Sequence, residues 1–371
     1  MKTLQRRTTA WPLAWLCVMV IVYASLYPFE NWRSQGVDWT AFLFAPWPRY
    51  WTGFDVLSNV LGYAPLGFIV TLALRRSARH LPAVALALSL GSLLALSMES
   101  LQLFLPARVP SNVDWGLNTL GVFLGANLAW TLERLGFLNR WSRFRANWFL
   151  PDAKGSLVIL ALWPVALLFP APVPLGLGQV LERAEDALAL RFQDTLWLDW
   201  LPVREVELQP LLPIYEALCV NLGQLIPCLL AFSLIRHLHQ KVIAWFLLLT
   251  FGMGFTGLSA ALTYGPAHAW GWVNAPVQLA LFMAAIFAVP MMWLKEKTLQ
   301  VLALVALVLQ LTLLNNASAS AYFALTLQNW EQGQFIRFHG LIQWIGWLWP
   351  FVLMAYLMHH LSASRPSRMG E

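Results

Sequence analysis

Long apolar runs constrain this chain more than any other feature. Several approach or exceed the roughly 18 residues that a helix needs to cross the hydrocarbon core of a bilayer. In hydrocarbon every backbone polar group must be satisfied internally, which leaves helices or closed barrels as spanning structures. Only 11% of the 371 residues are charged and 59% are apolar, whereas a soluble domain carries about 25% charge. The 21 Trp and 22 Phe fit two lipid–water interfaces, where aromatic rings collect. A large soluble protein with buried helices is therefore set aside. The expectation is an all-α, polytopic integral membrane protein with about ten transmembrane helices.

The expected spans are 11–28, 55–74, 82–104, 115–133, 155–172, 211–235, 242–264, 273–294, 298–316 and 340–360. The fifth is weakened by Pro164 and Pro170, and the ninth by its ending in Asn315-Asn316. With the N-terminus inside, 17 of the 24 basic residues fall on the inner side and seven on the outer, the bias that positive-inside topology produces. Both termini are then cytoplasmic in a multi-pass protein of the cell inner membrane. Met1-Lys2 to Arg7 followed by Trp11–Tyr27 resembles a signal peptide, but no small-x-small site closes the run, so it reads as a retained signal anchor.

The chain divides at the basic, aromatic stretch 134–154. Residues 1–133 form an expected four-helix membrane domain and 155–361 a second of about six helices, with 362–371 a Ser/Arg/Pro-rich flexible tail. Residues 29–54, with Trp32, Trp39, Trp47 and Trp51, are expected along the outer interface. Residues 173–210 and 317–339 form two further outer segments, and Val180 to Leu198 is a candidate amphipathic surface helix.

The net charge of +6 belongs to basic loops rather than to a patch with interleaved aromatics, so no nucleic acid is expected. Cys219 and Cys228 lie nine residues apart, about 13 Å along one helix, too far for a disulfide. No P-loop, dinucleotide glycine pattern, HExxH or serine-nucleophile motif occurs. Neither a metal nor a cofactor is implied.

Chemistry concentrates at the ends of three expected spans. Asp55 and Asn59, four apart, share a face at the outer end of the second. Glu99 and Gln102 share a face near the outer end of the third, and Asn112, Asp114 and Asn118 open the fourth after Arg108. Alternating helix direction sets all of them at similar depth near the outer surface. Polar groups at such depth are costly and tend to face one another or a substrate. Gly62, Gly121 and Gly125 allow neighbouring backbones to approach and draw these groups into one pocket. Asp114 suits the N-terminal dipole end of its helix. Arg108 has two readings, a structural ion pair with Glu99, Asp114 or Asp55, or a fork of donors for a ligand phosphate or carboxylate. Glu99 is the first candidate for acid–base or proton-carrying work, with Asp114 and Asp55 behind it, and an ion pair with Arg108 is its structural alternative.

The run Glu99-x-x-Gln102, Arg108, Asn112-Val113-Asp114, Asn118, Gly121, Gly125, preceded by Asp55-x-x-x-Asn59-x-x-Gly62-x-x-Pro65-x-Gly67, resembles the VanZ-like family over roughly residues 15–133. Its members are small integral membrane proteins, and its founding member is associated with resistance to the glycopeptide teicoplanin. The resemblance implies a role in the cell envelope or surface glycans. The six further helices depart from the short form of the family.

Helices of the second unit carry Glu216, Asn221, Gln224, Asn274, Gln278, Gln310 and Asn315, polar groups suited to interhelical hydrogen bonds. Three function classes follow. The first is a protein that binds or handles a lipid-linked or amphiphilic envelope ligand at the outer side of helices 2–4. The second is a membrane enzyme that modifies a lipid-linked glycan or phospholipid. The third is a scaffold for surface-polysaccharide assembly. The corresponding partners are membrane lipids, a lipid-linked glycan or other anionic amphiphile, and envelope-assembly proteins.

Overall fold

A computed structural model describes residues 10–27, 29–36, 38, 40–47, 53–77, 82–106, 108–151, 153–197, 208–209, 211–317 and 336–363. The chain forms two compact units, residues 1–143 and 144–371. Trp39, Trp51, Asp199, Glu205 and Glu207, nearly all of the expected outer segment 317–339, and residues 364–371 of the expected tail lie outside the described residues.

Four helices build the first unit: α1 (Ala10–Leu26), α2 (Gly53–Ser77), α3 (Ala83–Gln102) and α4 (Asn112–Arg134). The α2–α4 packing is the closest, with α3 against both and α1 against α2 and α3. Because α3 returns between them, α2 and α4 run parallel. Two polar ties fix their register: Asn59 Nδ2 donates to Asp114 Oδ1 at 2.7 Å, and Arg75 pairs with Glu133 at the other end. Between these ties the backbones nearly touch. A Cβ on Gly121 would collide with the Val60 carbonyl, one on Gly125 with the Ala64 carbonyl, and one on Gly67 with the Val122 carbonyl. Gly62, expected at this interface, faces open space. Its place is taken by Gly67, five residues on.

A short helix α5 (Phe137–Trp148) spans the division between the units. Its Arg140 and Arg143 are exposed beside exposed Phe137, Trp141 and Phe144, the composition of a helix lying on an interface.

The second unit comprises α6 (Lys154–Ala166), α7 (Leu181–Arg191), α8 (Pro213–Leu234), α9 (Leu238–Tyr264), α10 (Ala275–Met291), α11 (Glu296–Asn315) and α12 (Ile336–Ala363). Helix α8 is its axis. It packs on α6, α9, α10 and α11 and is buried continuously from Cys219 to Leu234. A helix apolar on every side belongs inside such a shell. Its amide nitrogens donate to neighbouring backbones there: Asn221 Nδ2 to Ala280 O at 3.1 Å, and Gln224 Nε2 to Leu248 O at 3.3 Å. Helix α7 has no buried residue and ends at Arg191, short of the expected Leu198.

The expectation of about ten spanning helices is overturned. Among the described residues there are twelve α-helices, and five of them are long and apolar enough to cross a membrane: α2 from Asp55, α3, α8, α9 and α11. The reasons are local. Helix α6 stops after 13 residues, ahead of Pro170, Pro172 and Pro174, which cannot continue a helix. Helices α1 and α10 have 17 residues each. The first ends where Phe29 takes φ +64°, and the second at Pro290 and the turns that follow. Helix α4 has 23 residues, but Asn112, Asp114, Asn118 and Asn127 lower its hydropathy. Helix α11, the doubtful ninth span, is among the five.

Candidate functional site

The polar residues meet at one end of the first unit, where α1 and α3 finish and α2 and α4 begin. Ser111 caps α4, its hydroxyl accepting from Val113 N at 3.2 Å and Asp114 N at 3.4 Å. The sequence Ser111-x-x-Asp114 has the form of a capping box, in which the third helical residue accepts the cap's own N–H. Here a different helix performs that function. Glu99, on α3 and 3% exposed, accepts the Ser111 N–H at 2.9 Å. Asp114 is engaged by Asn59 across the α2–α4 interface. One carboxylate thus joins α3 to the start of α4, and the other joins α4 to α2.

Gln102 and Arg108 hold α1. Gln102 Nε2 donates to Ser25 O at 2.9 Å. Arg108 Nη2 donates to Tyr27 O at 2.9 Å and to Ala24 O at 3.4 Å. The last carbonyls of a helix have no intrahelical donor, and a guanidinium there also answers the negative dipole end. Asn112 Nδ2 reaches Ala45 O at 2.8 Å, drawing in the 3-10 turn Ala41–Phe44. Asp55 sits half-buried in the first turn of α2, with its carbonyl accepting from Ser58 Oγ at 3.0 Å.

Arg108→Met removes the bonds to Ala24 and Tyr27 and is expected to cost about 1.5–3 kcal/mol, the usual worth of hydrogen bonds from a charged donor. Amide hydrogen exchange in the last turn of α1 is the measurement. Faster exchange over Ala24–Tyr27 is expected, and unchanged exchange there would show that Arg108 does not hold the helix end.

Near this end two buried polar atoms lack a normal hydrogen bond, as does Thr71 Oγ1 farther along α2. Asn118 is 4% exposed, and its Oδ1 has no hydrogen-bond partner among the described residues. The Tyr63 hydroxyl is also buried without a bond of normal geometry, with Ser25 and the Glu99 carboxylate beside it. A buried polar group left unsatisfied costs about 1–3 kcal/mol, so such atoms in a native fold call for an explanation. Tyr63 was not singled out in the sequence, although it lies four residues after Asn59 and so continues its face. The α1 carbonyls carry no sequence signal at all, since every residue has one. Among the described residues no group of three or more His, Cys, Asp or Glu side chains is arranged to hold a metal ion.

Residues 9–133, the portion that contains α1–α4, match the family model described as VanZ/LLP1. The rest of the chain falls outside that match. No curated protein and no solved structure matches the chain. Residues 9–133 are accordingly similar to the VanZ/LLP1 family, within a helical, multi-pass membrane protein.

Proposed function

We propose that the α1–α4 unit binds a lipid-linked or otherwise amphiphilic envelope ligand, anionic or sugar-bearing, at the end where α2 and α4 begin. The supporting observation is Asn118 Oδ1, buried and unpartnered, beside helices whose other amides are bonded. Asp55, Asn59, Glu99, Gln102, Arg108, Asn112 and Asp114 are proposed as the remaining ligand-site residues. In this reading Gln102, Arg108, Asn112 and the Asn59–Asp114 pair position the helices, and Glu99 carries the ionisable group. The distribution of Lys and Arg favours the outer face of the inner membrane for this end, with both termini cytoplasmic. The domain division proposed is 1–133, a 134–154 linker, and 155–361.

Asn118→Leu separates a binding role from a structural one. It replaces an unsatisfied amide with an apolar group of similar size, so a purely structural Asn118 gives a variant at least as stable as the wild type and unchanged in behaviour. The expected outcome is normal folding by thermal melt with loss of co-purifying amphiphile and of the cellular envelope phenotype. Glu99→Gln, which keeps shape and removes ionisation, is expected to weaken the same readouts. Full retention of ligand and phenotype by both variants would overturn the proposal.

A further inference from the structure

A cavity in the second unit, about 700 Å³, lies where the C-terminal turns of α9 meet the proline-rich loop after α6 and the turn 266–272. Its volume is within the usual range for small-molecule sites, about 300–1,000 Å³. We propose that it binds an uncharged, hydroxyl-rich group, the sugar or polyol head of a neutral amphiphile.

The hydrogen-bonding character of the walls carries the argument. Among the described residues that line the cavity, none is Lys, Arg, Asp or Glu. The donors are largely engaged already. Ser259 Oγ donates to Leu168 O at 2.9 Å, Thr263 Oγ1 to Ser259 O at 2.7 Å, and Trp272 Nε1 to Ala269 O at 3.0 Å. His268 Nδ1 lies 3.1 Å from Tyr264 O, which assigns the proton of the neutral ring to Nδ1 and leaves Nε2 an acceptor. Pro170, Pro172 and Pro174 bring carbonyls without N–H groups. The last carbonyls of α9 have no intrahelical donor. The walls are thus rich in acceptors and poor in free donors.

An occupant must therefore supply donors. A phosphate or carboxylate would meet carbonyls and a negative helix end. An ammonium would suit the carbonyls and the negative helix end, but it would be desolvated with no carboxylate among the described lining residues to pair it. Neutral hydroxyls satisfy the acceptors without either penalty, and Trp272, Tyr264 and Phe169 offer aromatic surface for the C–H face of a sugar ring.

Two further observations show a built site. Thr256 Oγ1 lines the cavity and has no partner among the described residues. Other threonines of α9 bond back to the carbonyl four residues earlier, as Thr250 does to Phe246 and Thr263 to Ser259. Leu175, which also lines the cavity, holds φ +61°, a conformation that strains any residue with a Cβ. It is kept there by Gln310 Nε2, which donates to Leu175 O at 3.3 Å and to Cys219 O at 2.9 Å, and by Gly223, where a Cβ would strike the Leu175 carbonyl. The site is at the end of α9 remote from Arg236 and Lys241, hence in the outer half of the membrane by the positive-inside bias.

The test uses the full chain in nanodiscs with binding read by native mass spectrometry. The probes are a monohexosyl diacylglycerol, the same diacylglycerol without sugar, phosphatidylglycerol of the same chains, an ammonium-headed lipid of the same chains, and free methyl hexoside. The hexosyl lipid is expected to bind about tenfold or more tightly than the unglycosylated or anionic lipid, a difference readily resolved. Ala260→Phe, which fills the cavity, removes that binding. Thr256→Val, which keeps shape and loses the hydroxyl, reduces the preference for the sugar. Cavity-dependent binding of the free hexoside alone supports the same site with a soluble source. Equal binding of the unglycosylated, anionic or ammonium lipid overturns the proposal, as does hexosyl-lipid binding unaffected by Thr256→Val. Should Ala260→Phe fail to fold by thermal melt, Thr256→Val decides.

Discussion

Gly125→Leu is expected to dismantle the first unit, lowering its stability by about 3 kcal/mol, the upper end of ordinary overpacking costs. The side chain would be driven into the Ala64 carbonyl, which is backbone and cannot move aside as a flexible side chain would. Separation of α2 from α4 would also break the Asn59–Asp114 bond and the Arg75–Glu133 pair, because both depend on the same approach. Gly62→Leu is the internal control. Nothing lies within 4 Å of its added Cβ, so it should melt close to the wild type. Thermal melts of both variants in one detergent decide the point. Equal melting of Gly125→Leu and wild type would mean that α2 and α4 are not packed backbone to backbone.

Trp163→Ala is expected to be the most damaging single change in the second unit, at about 3–5 kcal/mol, the usual loss when a buried Trp or Phe is cut to Ala. Trp163 is fully buried and heads the set of largest enclosed side chains. It belongs to α6, which stops at Ala166. Its ring lies against Gly252 of α9, where a Cβ would press on both it and Gln224. The backbone of α6 is also tied to α12, through Trp349 Nε1 donating to Ile159 O at 2.7 Å. A helix this short depends on tertiary packing for its stability, so the cavity left by Trp163 is expected to free α6 as a whole. Hydrogen exchange resolved by segment is the measurement. Exchange should rise across 155–166 while α1–α4 stay protected. Protection of α6 equal to that of the wild type would contradict the packing described.

Much of this was legible in residue spacing, and the failures have physical causes. Asn59 and Asp114 could be assigned to facing helix ends because four-residue spacing and alternating helix direction are read directly from sequence. Gly121 and Gly125 were legible as packing positions for the same reason. Gly62 was not distinguishable from Gly67, because choosing between them needs the α2–α4 register. The Gln102 and Arg108 partners were illegible, since they are α1 carbonyls. The count of spanning helices failed because apolar content fixes neither helix length nor surroundings. Helix α8 is apolar on all sides because protein encloses it, and α6 is apolar yet cut short by the prolines beyond it. The cavity in the second unit was not foreseen. It depends on three segments meeting, and its Thr256 and Leu175 look unremarkable in sequence.

The central claim is that the α1–α4 unit closes around an amphiphile's headgroup rather than around itself. A structure of the protein taken from its own membrane with native lipid retained tests this most directly. The account expects a headgroup within hydrogen-bonding distance of Asn118 Oδ1, bordered by Glu99 and Tyr63. A sealed cluster, with Asn118 bonded to protein or to a lone water and no lipid or glycan headgroup reaching it, would contradict the account.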